Sequence, residues 1–274
     1  MTEKAEWEGG VGRSWADEWR RTDRSFAELT PRLLEAIAAL PGQDVVDIGC
    51  GAGELSLAIA EARPQARVLG IDVSADLVAT ATIRAQGRRN CAFALADAAE
   101  WEPDRGAPDL YVSRHGVMFF SDPAAAFTHL GEVAQERAGL CFSCFRSPRE
   151  NAWASGIADL LPPGTGALPD PQAPGPFAFA DAQRVCGILE RAGWRDVAFA
   201  SHDIRYLAGV GSDPVGEALA LFARIGPAAR AMRDLPESER PAFQARLGEF
   251  VAEHRAGDTV AFAAAVWIVT ATKA

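Results

Sequence analysis

The chain is short of several things that would assign it a class at once. Its five cysteines are an odd number without framework spacing, so a disulfide-stapled scaffold is not expected and a reducing compartment is. Its histidines at 115, 129, 202 and 254 are scattered and form no zinc spacing. No stretch reaches the ~18 apolar residues of a membrane span, and the longest apolar run, near 259–269, reads as a core strand. The opening "MTEKAEWEGG" lacks the basic-then-apolar pattern of a leader. Positive charge is also in deficit: 27 Lys and Arg stand against 37 Asp and Glu, with net charge −10. Phosphate backbones are gripped by clustered Lys and Arg, and "RRTDR" at 20–24 is short and broken by Asp23. These absences predict a cytoplasmic protein that binds neither nucleic acid nor membrane, as a monomer or homodimer.

What is present is a regular alternation. With 274 residues and 49% hydrophobic content, the chain can bury a large core unaided. Residues 1–40 read as N-terminal helices. Trp15 and Trp19 are four apart and would share a helix face, and Thr30 with Pro31 would start a later helix. From 41 to 146, strand patterns at 44–48, 67–72, 91–95, 109–113 and 138–145 alternate with helical ones at 53–63, 75–86 and 123–136. That order predicts an α/β fold, a doubly wound, mostly parallel sheet. A helix at 181–192, strands at 196–205 and 259–270, and a last strand inserted antiparallel would make seven strands. Two stretches depart from the alternation. Residues 147–180 are proline-rich ("LPPGTG", "DPQAPGP") and read as a rigid loop. Residues 207–256 read as a helical insertion, and both could cover the sheet as a lid.

The chemistry concentrates in "DVVDIGCGAGELS" at 44–56. A strand ends at Ile48 and glycines follow at 49, 51 and 53, where a parallel sheet takes its ligands and glycine permits close backbone approach. The dinucleotide fingerprint G-x-G-x-x-G needs a third glycine at 54 or 56, but those positions hold Glu and Ser. An NAD(P)-dependent oxidoreductase is therefore disfavoured.

The stretch "VVDIGCGAG" instead resembles the first motif of the class I S-adenosylmethionine-dependent methyltransferases. The acid ending "VLGID", the acid in "FALADAAEW" and the segment "DLYVSRHGVMFF" resemble the motifs that follow it. The later "FSCFRSPRENAW" and "AAAVWIVTA" resemble a bacterial small-molecule subgroup near the quinone-biosynthesis methyltransferases. The resemblance implies one methyltransferase domain over 1–274 with a Rossmann-like sheet, S-adenosyl-L-methionine as cofactor and a small-molecule acceptor. It also implies roles: Asp47 near the methionine end, Gly49 and Gly51 beneath the cofactor, Asp72 on the ribose, Val73 against the adenine, Asp97 and Ala98 reading it, Ser113 near the sulfonium, and Trp15 closing the pocket. The bland readings are a structural acid at 47, a helix cap at 72 and a loop acid at 97.

On the acceptor side, His115 is the candidate general base, with an unperturbed pKa near 6.5; the competing reading is a pocket wall. Met118, Phe119 and Trp153 would line the acceptor site, and Arg114 or Arg146 would meet an acidic group. Cys141 and Cys144 form C-x-x-C, but on a strand positions three apart face opposite sides, so metal or redox chemistry is not expected. The expected reaction is methylation of a small, partly apolar acceptor, on oxygen before nitrogen or carbon. The rival from another class is a binding module that keeps the cofactor site without transfer.

Overall fold

The computed structural model describes residues 4–162 and 172–274. Four helices come first: α1 (Lys4–Trp7), α2 (Gly10–Asp17), α3 (Trp19–Ser25) and α4 (Leu29–Ala38). The alternating core follows with β1 (Asp44–Ile48), α5 (Glu54–Ala62), β2 (Arg67–Asp72), α6 (Ala75–Arg84), β3 (Cys91–Leu95), β4 (Leu110–Arg114), α7 (Pro123–Glu132) and β5 (Gly139–Phe145). Then come α8 (Ala152–Asp159), α9 (Ala182–Arg191), β6 (Trp194–Val210), α10 (Pro214–Arg224), α11 (Gly226–Asp234), α12 (Arg240–Glu253), the two-residue β7 (Arg255–Ala256) and β8 (Thr259–Lys273).

The sheet runs β3-β2-β1-β4-β5-β8-β6, with β7 folded against β8. Strands β1 to β5 pair in parallel, and β8 enters antiparallel between β5 and β6. Strand order reverses between β1 and β4, which places a crevice beyond their carboxyl ends. All seven residues of β5 are buried, as expected of a central strand covered on both faces. Phe142 of β5 packs on Phe127 of α7 and on Phe179. Burying each such ring contributes about 1.5–3 kcal/mol.

Local chemistry sets the element ends. Ser74 caps α6, its Oγ accepting from Leu77 N–H at 3.4 Å, and Asp122 caps α7 by accepting from Ala125 N–H at 3.0 Å. Three expectations need correction. Helix α4 begins before Thr30, whose hydroxyl instead donates to Phe26 O at 3.3 Å inside the helix. Trp15 and Trp19 do not share a face, because the chain breaks at Glu18 between α2 and α3; Trp19 lies under the guanidinium of Arg84 at 3.8 Å. The stretch 147–180 is not one loop: its apolar segment forms α8, ahead of residues 163–171, which lie outside the described residues together with part of "LPPGTG" and "DPQAPGP".

The long β6 shapes the other end of the crevice. Along its second half Ile204, Tyr206 and Ala208 are buried in alternation, one face of a strand. Helix α3 packs against this strand, and so does α10, which also meets α11 and α12. The segment expected as a helical insertion from 207 is strand to Val210 and helical from Pro214. Among the described residues no helix is long and apolar enough to cross a membrane.

Candidate active site

Three glycines follow β1, and each is held in left-handed backbone: Gly49 at φ +62°, Gly51 at +56° and Gly53 at +86°. Their surroundings differ. A Cβ on Gly49 would stand 2.9 Å from the Cα of Gly116, and one on Gly53 would meet the Phe93 ring at 2.7 Å. These two are small because protein packs there. At Gly51 a Cβ would meet nothing within 4 Å, because that residue borders a cavity of about 1060 Å³. This volume lies at the upper end of the ~300–1,000 Å³ usual for ligand sites, enough for two molecules side by side.

Carboxylates surround the glycine turn. Asp72, at the end of β2, accepts from Gly51 N–H through Oδ2 and from Ser74 N–H through Oδ1, both at 2.9 Å. Burial pushes its pKa up, opposed by the N–H groups of Ser74, Gly51 and Val73. Each oxygen keeps a lone pair for a further donor. Asp47, 1% exposed on β1, accepts from Ser56 Oγ at 2.6 Å through Oδ2. Its Oδ1 has no partner among the described residues. Burial raises its pKa to about 7, against the opposing pull of Ser56 and Arg114. Asp97, beyond β3, accepts from Ala99 N–H at 2.9 Å and pairs with Lys4 Nζ of α1 at 2.7 Å. Burial works to raise Asp97, but Lys4 and the Ala99 N–H leave it lowered overall.

Glu54 opens α5 and is ion-paired with Arg114, which also receives Asp23 at 3.7 Å and donates to Thr30 Oγ1 at 3.0 Å. Arg114 borders the cavity but is engaged by these partners. A carboxylate at the start of α5, close to Asp47 and Asp72, makes this turn a poor seat for a pyrophosphate.

His115 has φ +62° and donates its backbone N–H to Ser143 O at 3.2 Å. Its ring stacks on Phe145, with centroids 4.2 Å apart and an interplanar angle of 11°. From there ring contacts close a circuit: Phe145 to Trp153 at 5.2 Å, Trp153 to Tyr206 at 5.4 Å, Tyr206 to Phe26 at 5.7 Å and Phe26 back to His115 at 5.0 Å. Phe177 adds a sixth ring against Phe145 and Trp153. Both ring nitrogens of His115 are buried without a hydrogen-bond partner among the described residues, and so is Trp153 Nε1. Burial, and then the charge of Arg114, lower His115 to about 3. Of the two readings of His115, base or pocket wall, burial favours the wall, because an imidazole held that low is a weak proton acceptor.

The structure brings Trp15, Asp47, Gly49, Gly51, Asp72, Val73, Asp97, Ala98, His115, Met118, Phe119 and Trp153 to the cavity wall. It does not bring Ser113 or Arg146 there among the described residues. Ser113 is wholly buried and structural, its hydroxyl donating to Ile48 O at 2.7 Å and accepting from Gly116 N–H at 3.1 Å. Arg146 turns away to pair with Glu150 and with Asp203 at 3.0 Å, its guanidinium over Trp267. Cys141 and Cys144 are free and buried, and among the described residues no cluster could hold a metal ion.

Several wall residues were not singled out from the sequence. Lys4 and Trp7 come from α1, and Trp7 touches both Trp15 and Phe119 at centroid distances of 5.5 and 5.0 Å. Phe26, Phe145 and Tyr206 carry no local signal, because they meet only in the tertiary structure.

Residues 45–136 match the family model described as "Methyltransferase domain". Among curated proteins, the chain is 37% identical over 127 residues to a trans-aconitate 2-methyltransferase of Methylobacterium radiotolerans, covering 46% of this chain and 44% of that one. It is 30% identical over 187 residues to a nocamycin O-methyltransferase of Saccharothrix syringae, covering 60% and 66%. The match thus spans less than half of the trans-aconitate methyltransferase's length and 66% of the nocamycin methyltransferase's. Neither of these two relatives is named for quinone biosynthesis. Among solved structures, phosphoethanolamine N-methyltransferase 2 of Haemonchus contortus superposes with a TM-score of 0.54 at 14% identity, over 95% of this chain and 56% of that one, which shows the shared fold.

Proposed function

We propose that this chain, which belongs to the class I S-adenosylmethionine-dependent methyltransferases, binds S-adenosyl-L-methionine along the β1 and β2 ends and methylates an oxygen of a small, partly apolar molecule. One observation carries the cofactor reading. Gly51 opens onto the cavity with nothing within 4 Å of its would-be Cβ, between Asp72 and the unpartnered Asp47 Oδ1. A buried carboxylate oxygen without a donor costs free energy, and a cationic ligand would relieve it. The residues therefore suit a ligand with a positive amine, vicinal hydroxyls and an adenine ring. Asp47 would sit toward the charged end, Asp72 would accept from the hydroxyls, and Val73, Asp97 and Ala98 would border the ring. When bound, the cofactor supplies an activated methyl group on a cationic sulfur.

The rest of the chain's work is placement. The aromatic circuit of Phe26, His115, Phe145, Trp153 and Tyr206 offers an apolar wall, and Trp7, Trp15 and Phe119 cover the other side. Holding two reactants in line, away from water, can account for much of a methyl transfer. His115 serves as a neutral wall rather than as a proton acceptor. The proline-rich stretch contributes through Met118 O, which accepts from Gly175 N–H at 3.2 Å and ties that segment to the site.

The test is transfer of an isotopically labelled methyl group from S-adenosylmethionine to a panel of phenols, enols and carboxylic acids, read by mass spectrometry. Labelled methyl on an oxygen supports the reading. Cofactor binding with no labelled product across the panel would favour a binding module, and NAD(P)H binding without S-adenosylmethionine binding would favour an oxidoreductase.

A further inference from the structure

The cavity is electrically divided along the chain. Every carboxylate that borders it among the described residues comes from the first half: Glu6, Asp23, Asp47, Asp72, Asp97, Glu100 and Asp122. From Phe145 onward the bordering residues include Arg224, Arg230 and Arg233 and no Asp or Glu. In a protein of net charge −10 this is the reverse of the overall balance. Lys4 and Arg114 also border it, but Lys4 is paired with Asp97 and Arg114 with Glu54, so the lining from Phe145 onward is the part that suits an anion.

The arginines differ in how they are engaged. Arg224 is held by Asp17 at 2.5 Å and by Glu18 at 3.2 Å, a tie between α10 and the N-terminal helices. Arg230 reaches Asp234 of its own helix at 3.4 Å. Arg233 makes no ion pair among the described residues. Arg230 and Arg233 are three apart on α11, so they stand on one helix face, while Ala228, Ala229 and Ala231 anchor the helix inward. Helix α11 packs against α8, the helix that carries Trp153 into the aromatic circuit. The basic pair and the ring wall border the same cavity. A guanidinium fork matches a carboxylate in geometry and in charge, and stacked rings favour a flat apolar body.

We propose that the methyl acceptor is a carboxylate-bearing molecule with a flat apolar body, its anionic group received by Arg233 and Arg230 of α11 and its body laid against the wall formed by Trp153, Tyr206 and Phe145. This rests on the methyl-transfer reading and specifies the acceptor within it.

Calorimetry with S-adenosylhomocysteine present tests it, using benzoate, 2-naphthoate and anthracene-2-carboxylate, each against its alcohol counterpart. The proposal expects at least one carboxylate to bind about tenfold or more tightly than its alcohol, as a charge-assisted hydrogen bond allows. Arg233→Gln together with Arg230→Gln abolishes that preference and leaves both the alcohol and S-adenosylhomocysteine affinities within about twofold of wild type. Arg233→Glu, at an exposed position that should not disturb folding, reverses the preference. If no carboxylate binds better than its alcohol, or the preference survives both substitutions, the arginines are solvated surface charges and the proposal fails while S-adenosylhomocysteine binding leaves the methyltransferase reading standing. If S-adenosylhomocysteine itself does not bind, both fall.

Discussion

Asp72 Oδ2 accepts the backbone N–H of Gly51 at 2.9 Å, across 21 residues of chain. This bond fixes the glycine turn after β1 to the end of β2, where the cavity begins. The carboxylate shapes the turn, and under the proposed function its remaining lone pairs would receive the cofactor. Asp72→Asn keeps the side-chain volume but loses the charge and one of the two backbone N–H bonds, since its NH2 cannot accept. Its S-adenosylmethionine affinity should fall about tenfold or more, since hydrogen bonds to a charged group are worth ~1.5–3 kcal/mol. Titration calorimetry checks this, with circular dichroism confirming an unchanged fold.

The glycines divide by role in the same way. Gly49→Ala and Gly51→Ala should each cost about 1–2 kcal/mol of stability, because both residues sit in left-handed backbone. Gly49→Ala should cost more, since its Cβ would press on Gly116 at 2.9 Å. Gly51→Ala should be the milder folding variant and the more severe cofactor-binding one, because its methyl enters the open space. Denaturant melts paired with calorimetry separate the two effects; equal losses in both variants would contradict the assignment.

Asp47 should make cofactor binding pH-dependent. Burial lifts its pKa to about 7 from 3.8. Between those values the folded protein keeps a proton that the unfolded chain has released, so this group's contribution to stability declines as pH rises from about 4 to about 7. A cationic ligand favours the ionised form, so S-adenosylmethionine affinity should rise as pH rises from 5.5 to 7.5. Asp47→Asn should flatten that profile, and should stabilise the ligand-free protein over wild type more at pH 8 than at pH 4. Thermal melts and calorimetry at several pH values provide the check.

His115 should prove dispensable as a base. If its role is a neutral wall stacked on Phe145, His115→Phe keeps methyl-transfer turnover within about tenfold of wild type, whereas removing a general base costs ~10²–10⁴-fold. The turnover–pH profile of the wild type should show no inflection near 6.5 that the variant lacks.

The fold was legible because each strand carried its own pattern and each turn its own glycine or cap. The strand positions and the acids at 47, 72 and 97 follow from local runs such as "VVDIGCGAG", and the antiparallel last strand from the long connection before it, whereas the order of strands in the sheet is seen only in the structure. The acceptor side was not legible for a physical reason. Phe26, Phe145, Trp153 and Tyr206 meet His115 from α3, β5, α8 and β6, and nothing local marks residues so far apart as one wall. Ser113, expected to offer backbone contacts near the sulfonium, and Arg146 do not line the cavity among the described residues, and a motif gives a strand's end without giving the direction of each side chain. Ser113 turns inward to tie β4 to β1, and Arg146 turns outward to Asp203. The choice between base and wall for His115 was not legible either, because it turns on the surroundings: burial lowers the imidazole. The helix α8 was hidden because prolines flank a short apolar run.

The central claim is that the β1 and β2 ends hold an adenosyl-sulfonium ligand rather than a dinucleotide, and titration of the purified protein with S-adenosylmethionine and separately with NADH tests it most directly. The account predicts saturable one-to-one binding of S-adenosylmethionine that Asp72→Asn weakens about tenfold or more, with no saturable binding of NADH. Saturable NADH binding with no heat from S-adenosylmethionine would contradict it.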